Sequence, residues 1–283
     1  MRNVTLKKLY LVLLLFISEV YANEQLESDE LPTVIVTCAS GELGGAIAKK
    51  LASENNLILT GRNIRKLQKL QNELQSHYPL NYEIVALDYC DSPSLLELEK
   101  TLIAGKSEIS GLVLITPRPQ FCNSLLESEA NWMSLFQTTF TGPLESLKKV
   151  LPHLASPSKI VIIAGTTSVQ LLPEYGPACV IRRMWTTCAK ALSHQLGPKG
   201  ICVNALSPGV VLTDFHVERI ANKARQNHVD YDDQMKQDVA KIPLRRHALP
   251  EEVAQTVKFL LSRDSDFING VNLVIDGGTT LSY

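Results

Sequence analysis

TVIVTCASGELGGAIAKKLASENNLILT (Thr33–Thr60) is the stretch that decides the fold. Thr33–Thr37 is a short apolar run with β-branched residues, long enough for a buried strand. Leu43–Ala52 carries its apolar residues at helical spacing, and Leu57–Thr60 is a second apolar strand. A glycine-bearing turn joins the first strand to the helix. Two short buried strands with a helix between them form a βαβ crossover, which belongs to a parallel sheet covered on both faces.

The same alternation continues outward. Tyr82–Leu87, Gly111–Ile115, Lys159–Ala164, Ile201–Ala205 and Val271–Ile275 read as five more strands. Helical segments are expected over 64–77, 92–104, 130–152, 176–196 and 250–262. The expectation is therefore a single α/β domain over residues 32–283, a doubly wound (Rossmann-like) parallel sheet of about seven strands. Its ligand crevice should lie beyond the carboxyl ends of the strands.

The 283 residues are 45% hydrophobic, enough for one large core, and no linker or repeat divides them. Lys and Arg number 28 against 29 Asp and Glu, so no net field draws nucleic acid. The first 22 residues differ from the rest. Arg2, Lys7 and Lys8 precede the apolar run Leu9–Ile17, which ends near Val20-Tyr21-Ala22. That is the form of a signal peptide, and the run is shorter than the roughly 20 residues of a membrane span. Cleavage after Ala22 and export (periplasmic, secreted or lumenal) are expected, followed by an acidic tether over 23–31; an uncleaved membrane anchor is the alternative. Six cysteines, with no CxxC pair, read as buried thiols, although an exported chain would favour disulfides. Six scattered histidines have no paired-ligand spacing, so no metal site is expected.

Further motifs carry a family resemblance. Ala178–Leu196 runs into Gly200-Ile-Cys-Val-Asn-Ala-Leu-Ser-Pro-Gly209, followed by Thr213, then Leu249-Pro-Glu-Glu-Val-Ala254 and Ile268–Gly278. In this order they resemble the short-chain dehydrogenase/reductase family over nearly the whole domain. The resemblance implies dinucleotide binding, a carbonyl or alcohol substrate, and dimers or tetramers built on the 130–152 and 176–196 helices, with Met184 and Trp185 on such a face or in the core. It places Thr37, Ser40, Gly41, Leu43 and Gly44 in the phosphate-binding turn, and Asp88 at the adenine. Pro208, Gly209 and Thr213 fall at the nicotinamide. Arg62, ending the second strand where an acidic residue would select NAD, favours NADP.

The chain departs from that family where chemistry is done. Cys38 and Glu42 replace two turn glycines, and Leu114-Ile-Thr-Pro117 replaces the Asn-Asn-Ala-Gly motif. A Glu42 carboxylate facing phosphates would repel them by about 4 kcal/mol at 4 Å and an effective dielectric near 20. Ala178 stands for the catalytic Tyr, Arg182 for Lys, Gly165 for Ser and Thr139 for Asn. Arg182 can hold ribose hydroxyls and polarise an oxygen, but it does not give up a proton near neutral pH. Tyr175, about one helical turn earlier, and Thr166 or Thr167 are the candidate replacement hydroxyls. The competing reading leaves Tyr175 in a loop as packing. Three functions stay open: an NADP(H)-dependent oxidoreductase with an altered catalytic set, an inactive relative that binds a ligand or partner, and an exported scaffold without cofactor.

Overall fold

The structure, a computed structural model, describes residues 31–105, 108–119, 124–173 and 175–281. The expected leader, its cut site at Ala22, nearly all of the tether, and Cys122 lie outside these residues.

Seven parallel strands form one sheet: β1 (Thr33–Val36), β2 (Asn56–Gly61), β3 (Tyr82–Ala86), β4 (Ile109–Ile115), β5 (Leu154–Ile163), β6 (Ile201–Pro208) and β7 (Asn272–Ile275). Their order is β3-β2-β1-β4-β5-β6-β7. β1 pairs with β2 on one side and β4 on the other, so the chain reverses direction across the sheet at β1/β4. That reversal opens the crevice of a doubly wound fold.

Side-chain alternation along the strands divides the core. Val34 and Val36 of β1 face the side covered by α1 (Glu42–Leu51), α2 (Ile64–His77) and, later in the chain, the helix Pro250–Leu261. Ile35 faces the opposite side, where α3 (Ser92–Ala104), the helix Gly142–Val150 and the helix Gly176–Leu196 pack. Both faces are apolar because helices cover both, which is why the strands read as unbroken apolar runs. Trp185 settles into the second core, 1% exposed, with its indole N–H donated to the Thr139 carbonyl at 2.8 Å.

One expectation needed refinement. The 130–152 helix is two helices, α4 (Glu129–Phe136) and α5 (Gly142–Val150), joined by a π-helical turn at Gln137–Thr141. Gly142 follows the widened turn because a Cβ there would overlap the Tyr89 carbonyl. After α6 (Gly176–Leu196), the charged 214–246 region holds α7 (Asp214–Asn227) and α8 (Tyr231–Val239) before α9 (Pro250–Leu261). Among the described residues no helix is long and apolar enough to cross a membrane.

Candidate active site

The crevice is a cleft of about 530 Å³ at the carboxyl ends of the central strands. Ser40, Gly41, Leu43, Gly44, Arg62, Asp88, Thr166, Tyr175, Arg182, Pro208, Gly209 and Thr213 all line it. Thr37 lies beneath the turn instead. Its hydroxyl donates to the Ile115 carbonyl at 2.8 Å and accepts from the Ile115 amide at 2.7 Å. It clamps β1 to β4 at the reversal, so its role here is to hold the two walls of the crevice together.

The turn survives its missing glycines for specific reasons. Cys38 adopts φ 51°, a left-handed conformation that a side chain strains and a glycine does not. Gly44 is indispensable, since a Cβ there would stand 2.5 Å from the Cys38 carbonyl oxygen and 2.8 Å from the Ala39 Cα. Gly61 ends β2 so close to the turn that a Cβ would meet the Ser40 hydroxyl at 2.6 Å. Burial pushes the Cys38 thiol up to about 12, against the pull of the neighbouring Arg62 cation. It is therefore a packed thiol rather than a reactive one.

Glu42 does not direct its carboxylate at the turn. Both oxygens accept from the Asp214 amide, at 3.0 and 2.9 Å, on the first residue of α7. The helix terminus supplies the orphan N–H and positive partial charge that hold a carboxylate. The charge that threatened phosphate binding is thus spent on tethering α7 to α1 across the cleft.

Gly165 and Arg182 fit one another. Gly165 has φ +86°, and a Cβ built on it would lie 2.7 Å from Arg182 Nη1 and 3.3 Å from its Cζ. The space vacated by the absent Ser side chain is filled by the guanidinium, which donates from Nη1 to the Thr167 hydroxyl at 3.0 Å. Burial lowers the Arg182 pKa, opposed by Tyr175 and assisted by the like charge of Arg118. Of the two candidate hydroxyls, Thr167 bonds the arginine, while Thr166 lines the cleft beside it.

Ala178 is buried at 2% exposure within α6 and offers no polar atom to the cleft. Tyr175 is the residue immediately before α6, outside the helix; its hydroxyl accepts from Arg219 of α7 at 2.8 Å. Thr139 occupies the π turn, its hydroxyl turned back to the Leu135 carbonyl at 2.6 Å. It does not reach the cleft.

Sequence reasoning missed Arg118, Phe215 and His216. Arg118 sits between two prolines in the loop that replaces Asn-Asn-Ala-Gly, and its guanidinium stacks over the Phe215 ring at 3.7 Å. His216 donates to or accepts from the Thr213 hydroxyl at 3.2 Å. Burial first, and then Arg118, Arg219, His247 and Arg182, lower its pKa to about 4, so its ring is neutral at pH 7. The only sequence signal for Arg118 was a cation directly after the replaced motif Leu114–Pro117. Among the described residues there is no metal-ligand cluster.

A seven-stranded parallel sheet with this crevice, glycine turn and end-of-strand Arg62 is a dinucleotide-fold protein of the reductase type. The family model described as Enoyl-(Acyl carrier protein) reductase matches residues 39–280, and the chain belongs to the short-chain dehydrogenase/reductase family. It is 26% identical over 261 residues to 3-oxoacyl-(acyl-carrier-protein) reductase FabG of Rickettsia felis, covering 87% of this chain and 95% of that protein. Mouse dehydrogenase/reductase SDR family member 4 is 26% identical over 252 residues, covering 87% and 86%. Among solved structures, L-sorbose reductase of Gluconobacter frateurii complexed with NADPH and L-sorbose superposes with a TM-score of 0.84 at 20% identity, over 89% of this chain and 97% of that one. The apo form of a Pseudomonas aeruginosa short-chain oxidoreductase containing an atypical catalytic center superposes at 0.81, with 20% identity, over 90% and 99%.

Proposed function

We propose that this chain is an NADP(H)-dependent oxidoreductase that interconverts a carbonyl and an alcohol with an altered catalytic set. The observation that carries this reading is the fit of Gly165 to Arg182: the two departures from the family are one replacement, a cation seated where the Ser side chain would be. The cofactor fit is supported by Gly41, Gly44 and Gly61, which line the cleft without side chains, the last two at close approaches that a Cβ would break, and by Arg62 beside the cleft. A bound nicotinamide supplies or takes the hydride.

Arg62 pairs with a 2′-phosphate, and Asp88 faces the adenine end. Arg182 holds the ribose hydroxyls and stabilises negative charge developing on the carbonyl oxygen, with Thr167 fixing the guanidinium. Proton transfer at that oxygen falls to the Tyr175 hydroxyl, one step outside α6, polarised by Arg219. One observation favours the alternative, an inactive relative that binds a ligand or partner. Ala178 and Gly165 contribute no hydroxyl, and Arg182 keeps its proton. Export through the N-terminal leader and assembly into dimers or tetramers complete the proposal.

The test is calorimetric titration of the purified protein with NADPH and NADH, followed by a carbonyl-substrate screen. Micromolar NADPH binding, weaker NADH binding, and loss of that preference in Arg62→Ala support the reading. Turnover that falls about 10²–10⁴-fold in Tyr175→Phe places the proton there. Undiminished turnover in that variant removes Tyr175 from the mechanism, and no binding at millimolar concentration removes the cofactor.

A further inference from the structure

The cleft is charged unevenly. Among its described lining residues the carboxylates are Asp88, at the β3 end, and Glu42, whose two oxygens are both committed to the Asp214 amide. At the β5/β6 end stand Arg118 and Arg182, with Arg219 behind them, reaching the Tyr175 hydroxyl. Arg182 has five N–H donors and, among the described residues, one hydrogen-bond acceptor, Thr167 Oγ1. Arg118 is held by stacking on Phe215, a contact that uses the face of the guanidinium and leaves its edge donors to the cleft. Among the described residues neither arginine has an ion pair, although the Glu42 charge acts on Arg118 without one. Like charges gathered in a partly desolvated crevice repel one another, and a binding anion is what turns that repulsion into affinity.

We infer that the end of the cleft framed by Arg118 and Arg182 is an oxyanion site, and that the substrate carries a carboxylate or phosphate group beside its reacting carbon. The word substrate rests on the oxidoreductase reading above; the anion site itself does not. Planar guanidinium forks match both oxyanions in the same bidentate way. Tyr175 and Thr167 supply further hydroxyls around the same space, and the Phe215 ring gives it one apolar wall. The site is separate from the place of the cofactor phosphates, which the Gly41–Gly44 turn and Arg62 define at the other side of β1.

His216 gives a readout independent of turnover. The cations that hold its pKa down are Arg118, Arg219, Arg182 and the neighbouring His247, so an anion seated among the first three releases the ring to titrate higher. The experiment titrates the protein with inorganic phosphate, pyruvate and the neutral analogue acetone, with and without saturating NADPH. Binding is followed by calorimetry and by the ring resonances of His216. The expected result is binding of phosphate and pyruvate at least about tenfold tighter than acetone, retained with NADPH present, with an upward move of the His216 titration. Arg118→Ala then weakens both anions about tenfold or more, the range of a charge-assisted bond, and Arg118→Lys less so.

Phosphate binding that NADPH abolishes and Arg118→Ala leaves intact overturns the site, since the anion is then in the cofactor's place. NADPH binding without any anion binding overturns the site and leaves the oxidoreductase reading standing. Arg118-dependent anion binding without NADPH binding keeps the site and removes that reading. Should Arg118→Ala fail to fold, the wild-type His216 titration alone decides.

Discussion

Gly165→Ser restores the family's hydroxyl, and the structure predicts that it damages this protein. The backbone at φ +86° costs a side chain about 1–3 kcal/mol. The new Cβ would meet Arg182 Nη1 at 2.7 Å, so the guanidinium must leave and give up its bond to Thr167, a charged-group bond of about 1.5–3 kcal/mol. The two costs overlap, because a shifted backbone relieves part of the clash; about 3 kcal/mol is the expected net loss. For a domain of this size that lowers Tm by about 6–12 °C. The assay is urea unfolding followed by the fluorescence of buried Trp185, carried through a double-mutant cycle with Arg182→Lys. In the lysine background the clash is gone and only the backbone cost remains, so the coupling between the two sites should exceed about 1 kcal/mol. A Gly165→Ser loss under about 0.5 kcal/mol, or the same loss with lysine as with arginine, refutes the argument that the two replacements are one.

Three further outcomes are expected. Glu42→Ala frees the Asp214 amide and unties α7 from α1, while the carboxylate it removes is turned away from the phosphate turn, so NADPH affinity in calorimetry should change by less than about threefold; a gain of about tenfold would contradict the placement of that charge. His216 has a folded pKa of about 4 against about 6.5 unfolded, so the unfolded chain binds more protons between those values. Stability from this group is therefore full above about pH 6.5 and is lost as pH falls towards 4; His216→Asn should flatten that limb of the denaturation midpoint against pH. Glu252 has the same sign in a lower window. Arg246 at 2.6 Å and the Leu249 amide hold its carboxyl at about 2, so its contribution persists down to about pH 4 and is lost as pH falls towards 2. Glu252→Gln should lessen acid sensitivity in that window.

The sequence by itself determined the architecture. Periodicities of two and 3.6 are local, and they locate all seven strands, with α2, α3 and α6 at their observed ends. It also located the crevice and the departures at 38, 42, 165, 178 and 182, because those positions are counted along the chain from motifs. It did not reveal the π turn that divides 130–152, since apolar spacing runs on through one widened turn, and the Tyr89 carbonyl that requires Gly142 after it comes from a different strand loop.

What the departures mean only the tertiary structure decided. Glu42 read as a charge against phosphates and proved to be a partner of Asp214, 172 residues away. Thr37 read as a cofactor contact and proved to be the clamp between β1 and β4. Gly165 and Arg182 read as two losses, and their compensation is visible only once β5 and α6 lie side by side. Arg118 gave no periodic signal at all; its position over Phe215 depends on where α7 crosses the cleft. Side-chain direction and long-range contact are properties of packing, and packing joins residues that sequence spacing keeps apart.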